Sequence, residues 1–320
     1  MNIAITGITG FIGKALALKL ITQGHNVCGL IHSPQKASLL PDQIKKIYGD
    51  IRNRDALKST FASCDLIYHC AAIVNGGKQE MLETNVRGTE AVCQVALEMG
   101  IKKMIYISSV AVISGNNGPY PLKEDLPYAA YNDYGVSKIL AEKVAIEYIK
   151  KGLNIAIIRP SAVYGTDEPH VIAKIVKLSK IGILPLIGDG SVKWQLIHID
   201  DLTDFLVSII NNEKAYNDIF NVSSDETIEM IELYRLVKSF VHRGIIIRIP
   251  IRAIMPVVRF VDLPFNLKGK KPFTNKIKFF ERHHTYDVSK ARNVLGLKTN
   301  ISLSDGFAQI YSRSTNIFYG

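Results

Sequence analysis

Cysteine is scarce: the 320 residues hold four, Cys28, Cys64, Cys70 and Cys93. Their wide, irregular spacing makes no metal pattern, so no metal site is expected and the four read as reduced core thiols. No apolar run reaches the ~18 residues that a membrane-spanning helix needs. The opening MNIAITGITGFIG has neither a charged leading segment nor a cleavable apolar one, so no signal peptide is expected. These absences point to a cytoplasmic chain. No segment has the composition of a disordered one either. What the sequence does have is apolar mass: 47% hydrophobic residues are enough for a large core in one domain or two coupled lobes.

Charge is present with one sign in excess. The net charge is +10, and between Val241 and His284 ten Lys or Arg face two acids, Asp262 and Glu281. That stretch reads as a solvated basic face, as a site for an anionic substrate, or as a peripheral contact with an acidic membrane surface. No nucleic-acid-binding motif accompanies the charge, so nucleic acid is not an expected partner.

The first half of the chain alternates short apolar runs with helical patterns. Residues 2–6, 26–31, 44–50, 65–72, 103–109 and 153–160 read as strands. Helices are expected from Phe11 to Gly24, over 85–100 and from about Asn132 to Lys151. Strands that are apolar throughout belong to a parallel sheet covered on both faces. The fold class predicted is therefore α/β: a Rossmann-type, doubly wound parallel sheet with a smaller C-terminal α/β lobe for substrate. Residues 1–165 would form the dinucleotide-binding domain and 166–320 mainly the substrate lobe, with strands from about 194–222 returning to the main sheet. A helix is expected over 171–182. Residues 194–210 read as a short strand entering a helix capped by Asp200 or Asp201. The proline-punctuated stretch 244–284 shows little regular periodicity.

Ligands bind such sheets beyond the carboxyl ends of the strands. There lies TGITGFIG, with Gly7, Gly10 and Gly13 between a strand and a helix. The glycines permit a tight turn and close approach of backbone. The helix N-terminus offers free N–H groups and a partial positive charge to a pyrophosphate. The second strand ends GLIHSPQK, with no acid to hold the two ribose hydroxyls that NAD requires. His32, Ser33 and Lys36 would instead face a 2′-phosphate, which points to NADP ahead of NAD; His32 as an ordinary loop residue is the alternative. Asp50 would accept from an adenine amino group while Ile51 packs on the ring; otherwise Asp50 caps the helix that begins near Asn53. In YNDYGVSK, Tyr134 and Lys138 lie one helical turn apart. An adjacent ammonium would lower a phenol pKa that is ordinarily near 10.

The elements TGITGFIG, GDI, YHCAA, NVRGT, YISSVAV, YGVSK, RPSAVYG and HIDDL, in that order over roughly residues 1–210, resemble an extended short-chain dehydrogenase/reductase. That family includes NAD(P)-dependent epimerases and dehydratases. HHTYDVSKARNVLGLKTNISLSDGF resembles the family's C-terminal end. The resemblance implies a catalytic Ser109, Tyr134 and Lys138, with Ser108 the rival serine. It also implies dinucleotide contacts from Gly7, Thr9, Gly10, Phe11, Ile12, Gly13, Cys70, Ala71, Ala72, Tyr134 and Lys138. Pro160, Ser161 and Val163 would meet the nicotinamide carboxamide. Asn85 would support a proton relay behind the lysine, or cap a helix. Tyr131 has Gly135 where a lysine would be needed, and Tyr128 lies outside the helix.

Departures from the family pattern narrow the reaction. Val110 and Ala111 follow Ser109 where 4,6-dehydratases carry an acid pair, so water elimination is not expected. Trp194 stands where sugar-nucleotide epimerases place an arginine. These residues, with the arginine-laced apolar run 245–260, resemble the dihydroflavonol reductase-like and hydroxysteroid dehydrogenase-like branch. The expected function is an NAD(P)-dependent oxidoreductase acting on a secondary alcohol or ketone. A nucleotide-sugar epimerase or 4-ketoreductase with bound NAD is the second reading, and a non-catalytic dinucleotide-binding regulator the third. A homodimer is common in the family.

Overall fold

The computed structural model describes residues 1–168, 171–266 and 277–317. Seven parallel strands make the main sheet: β1 (Asn2–Thr6), β2 (Asn26–Ile31), β3 (Lys45–Tyr48), β4 (Leu66–His69), β5 (Lys103–Ile107), β6 (Asn154–Pro160) and β10 (Asp218–Val222). Their order is β10-β6-β5-β4-β1-β2-β3, so the sheet winds outward in both directions from the β1/β4 junction. This is the Rossmann-like α/β fold expected from the apolar strands.

Alternate strand residues serve the two faces. Ile3, Ile5, Tyr68, Ile105 and Ile158 pack under α1 (Phe11–Thr22) and α7 (Ile199–Ser208). Ala4, Ile67, Met104, Ile155 and Ile157 pack under α2 (Arg54–Phe61), α4 (Gly88–Glu98) and α5 (Asp133–Lys150). Both faces are covered, so the strands show no polar alternation.

The helical run before β5 begins earlier than residue 85. α3 (Lys78–Met81) passes through a wide π-turn, Leu82–Arg87, into α4. Such turns often mark functional positions, and Asn85 sits in this one. Asn132 caps α5 by accepting from the Gly135 N–H. The expected caps of α7 were wrong. The His198 ring accepts from the Asp200 N–H, while Asp201 accepts from the Asn300 and Ile301 N–H groups and so ties the C-terminal segment down.

The remaining strands lie outside the main sheet. β7 (Ala162–Tyr164), β9 (Lys193–His198) and β11 (Thr227–Glu229) form a three-stranded sheet. Of the 194–222 segment, then, Asp218–Val222 pairs in the main sheet and β9 does not. β8 (Ile183–Ile187) pairs with β12 (Ile245–Ile249) in parallel. Tyr164, Leu184, Leu186, Trp194, Leu233 and Phe307 gather these pieces into a second core with α6 (Val171–Ile181), α8 (Met230–Val241) and α11 (Leu303–Ile317). The stretch after residue 244 is more regular than its prolines suggested. β12 runs directly into α9 (Ile251–Asn266), and α10 (Ser289–Leu295) follows later. Four of the ten basic residues of 241–284, Lys268, Lys270, Lys271 and Lys276, lie outside the described residues.

Candidate active site

β1 delivers the chain to a turn that only glycine can make. Gly7 has φ +72°, and a Cβ there would lie 2.6 Å from the Ala71 backbone. A Cβ on Gly13 would lie 2.2 Å from the Gly7 carbonyl oxygen. Gly10 caps α1 with no side chain, so the first N–H groups of the helix meet no side-chain acceptor. They open on a cleft of ≈ 480 Å³ whose walls include Gly7, Gly10, Phe11, Ile12 and Gly13. Thr9 is half-buried in the same turn.

At the end of β2, Lys36 reaches the cleft wall, whereas His32 is exposed with its ring 3.8 Å from the Asp50 carboxylate. Arg52, which sequence reasoning missed, takes that carboxylate: Nε and Nη2 donate at 2.8 and 2.9 Å, and the Arg52 N–H donates at 2.8 Å. These bonds hold the Asp50 acid down at about 2 against the opposing pull of burial. The signal was the arginine two residues after the acid. Asp50 does not cap α2, since Asn53 accepts from the Asp55 and Ala56 N–H groups. Ile51 is buried against Gly88 of α4.

The three expected catalytic groups line one cleft: Ser109 just past β5, and Tyr134 and Lys138 on α5. Ser109 Oγ accepts from the Ala111 N–H at 3.1 Å, which fixes the hydroxyl at the start of a 3-10 turn, Val110–Val112. Burial raises the Tyr134 pKa, and a hydrogen bond with Ser109 opposes that rise. Lys138 is fully buried, donates to the Ile107 carbonyl at 2.8 Å and sits 4.4 Å above the Tyr106 ring. Burial lowers its pKa to about 7, against the pull of Glu142 and Cys70. The expectation that an ammonium would activate the phenol therefore meets a stronger opposing effect. Burial disfavours both charged forms, and Tyr134 rests as a neutral phenol.

The rival residues are engaged elsewhere. Ser108 donates to Glu142, which also accepts from Arg159 Nε and Nη2 at 2.9 and 2.8 Å and from the Tyr128 hydroxyl at 3.0 Å. Tyr131 leans edge-on against Phe279 and His284, beneath the Arg282 guanidinium. Asn85 is not a helix cap. Its amide brackets Ile73, accepting from the N–H at 2.7 Å and donating to the carbonyl at 3.0 Å, and it donates to Ser137 Oγ at 2.9 Å. Ser137 in turn donates to the Tyr134 carbonyl. Asn85 thus joins the β4 loop to the helix that carries Tyr134 and Lys138.

The model of the NAD-dependent epimerase/dehydratase family matches residues 3–223. The chain belongs to that family. A 2-alkyl-3-oxoalkanoate reductase of Shewanella oneidensis is 23% identical over 96% of this chain and 84% of the relative. A UDP-glucose 4-epimerase of Vibrio cholerae is 28% identical over 96% and 94%. The solved structure of a Thermotoga maritima UDP-glucose 4-epimerase with UDP-glucose superposes with a TM-score of 0.83 at 20% identity, covering all of both chains. That likeness speaks for the fold.

Membership makes the chain an extended short-chain dehydrogenase/reductase enzyme that depends on NAD, and the residues present fit that cofactor. An uncapped helix N-terminus faces a cradle that a Cβ on Gly7 or Gly13 would fill. Cys70, Ala72, Pro160, Ser161 and Val163 line the same cleft. The Ser161 N–H is committed to the Val222 carbonyl and its hydroxyl to Ser223, so its carbonyl is the part left to a ligand. Glu168, also missed from sequence, is buried in the cleft wall and accepts from the Ala173 N–H at 3.0 Å. Val110 is buried and Ala111 half-buried beside α5. Trp194 is buried in the second core against Phe279 and His284, with its indole N–H unpartnered among the described residues, and is not among the residues lining the cleft.

Proposed function

We propose that this enzyme reduces a ketone to a secondary alcohol, and runs the reverse, through Ser109, Tyr134 and Lys138. The observation that carries the reading is that Ser109, Tyr134 and Lys138 line the same cleft as the glycine turn. A neutral phenol is set to give a proton in the reducing direction. Tyr134 would donate to the substrate oxygen as the carbonyl carbon gains hydride, and Ser109 would donate to the same oxygen. A dihydronicotinamide held in this cleft would supply that hydride. Lys138, with a pKa of about 7 and one helical turn from Tyr134, exchanges protons readily near neutrality. Val74 and Ile107 add apolar wall to the cleft beyond the residues assigned to the dinucleotide, which favours a hydrophobic substrate.

The second reading, a nucleotide-sugar epimerase, is favoured by the Vibrio cholerae relative, which matches over nearly its whole length. Purified protein separates the two. Ketone-dependent oxidation of exchangeable NADPH or NADH supports the reductase, and tightly retained NAD with interconversion of UDP-sugars supports the epimerase. Tyr134→Phe should abolish turnover and leave dinucleotide binding nearly intact. Substantial residual turnover would refute the role given to Tyr134.

A further inference from the structure

β8 and β12 form a two-stranded sheet whose one face packs on the second core, while among the described residues the other is covered only in part, Pro185, Ile187 and Ile249 lying half-buried. Leu184 and Leu186 point into the second core. On the opposite face the register pairs Ile183 with Ile245, Pro185 with Ile247, and Ile187 with Ile249. That face is apolar throughout, yet Ile183, Ile245 and Ile247 are 49%, 69% and 45% exposed.

β12 then runs through Pro250 into α9, whose sides are sharply divided. Ile251, Ile254, Met255 and Val258 lie half-buried, with Asp262 buried among them. Successive helical residues turn by about 100°, so Ala253, Val257 and Phe260 share the opposite arc. Val257 and Phe260 are 63% and 76% exposed. Arg252 and Arg259, both exposed, run along one edge of that arc.

We propose that the β8/β12 face and the outer arc of α9 dock on an anionic phospholipid surface. Large exposed apolar side chains in one contiguous segment are unusual on a protein that meets only water. The charge identifies the occupant. Arg252 and Arg259 line the outer arc of α9, and the single acid between Arg243 and Asn266, Asp262, is buried on the far side of the helix; Arg248 pairs with Leu186 on the other side of the sheet, near Asp189, and is not part of this face. A second copy meeting this face across a two-fold axis would set the arginine edges near one another. A nucleic acid would satisfy the arginines but leave Phe260 and Val257 against phosphate. A lipid interface satisfies both: the aromatic and aliphatic groups enter the boundary with the acyl chains, and the guanidinium groups stay at the headgroups. No helix of the described residues is long and apolar enough to cross a membrane, so the contact is one of adsorption.

The test is flotation of the full chain with phosphatidylcholine vesicles, with and without phosphatidylglycerol, at low and high salt. Recovery is expected only with the anionic vesicles and should fall as salt rises. Val257→Ser with Phe260→Ser should lower the partition coefficient by roughly thirtyfold or more. Arg252→Gln with Arg259→Gln should lower it by roughly thirtyfold, since each basic side chain near such a surface contributes about fivefold. These positions are exposed, so both variants should keep the parent's circular dichroism and melting midpoint. No recovery at low salt, or recovery that neither variant changes, would overturn the proposal. So would a self-association, seen by sedimentation equilibrium, that Phe260→Ser abolishes in the absence of vesicle binding.

Discussion

Replacing Arg159 with methionine would leave the Glu142 carboxylate in the interior without its cation. Arg159 and Glu142 are 2% and 0% exposed, and two nitrogens of the guanidinium grip both carboxylate oxygens. The remaining donors are the hydroxyls of Ser108 and Tyr128, neither of which carries charge. Breaking one side of such a buried pair typically costs about 3–5 kcal/mol, because the surviving charge can neither ionise comfortably nor reach water. Folded domains are stable by only about 5–15 kcal/mol, so Arg159→Met should shift the urea midpoint strongly and the melting midpoint by on the order of 10 °C. The pair also joins the end of β6 to α5 and, through Ser108, to the end of β5, one residue before Ser109. Turnover should therefore fall even where the variant remains folded. The double variant Arg159→Met/Glu142→Met removes both charges and should recover most of the lost stability. Urea denaturation of the parent, both single variants and the double variant gives the coupling directly. A loss below about 1 kcal/mol for Arg159→Met, or additive losses in the double variant, would refute the reasoning.

Two further outcomes follow from the cofactor end of the cleft. Gly13→Ala puts a Cβ against the Gly7 carbonyl oxygen, so the turn must shift. Strain of roughly 1–3 kcal/mol should weaken dinucleotide binding, read by calorimetry, by on the order of tenfold or more; unchanged affinity would refute the role of the turn. On the sequence reading, His32→Ala with Lys36→Ala should weaken NADPH more than NADH; equal losses in the two titrations would overturn that reading and leave NAD, on which the family depends.

What the sequence determined by itself is local. The glycine turn, the strand–helix alternation and the span of α5 were legible because each follows from neighbouring residues: backbone freedom at Gly7, apolar periodicity, and a cap at Asn132 three residues before its partner. The spacing of Tyr134 and Lys138 belongs to the same class. Tertiary structure decided everything that depends on distant partners or on burial. Asn53 displaced Asp50 as the cap of α2, because Arg52 had claimed the acid. Asn85 turned out to hold Ile73 and Ser137, and Asp201 to hold residues about a hundred positions away. Trp194 was pulled into an aromatic cluster with Phe279 and His284, away from the cleft. Lys138 lost much of its basicity to desolvation, a property of the closed interior. The run 245–260, apolar residues interleaved with arginines, does not say from its sequence which of its side chains are buried. Only the packing showed that Ile245, Ile247 and Phe260 stay outside while Ile246 packs on the second core, since exposure depends on what the rest of the chain covers.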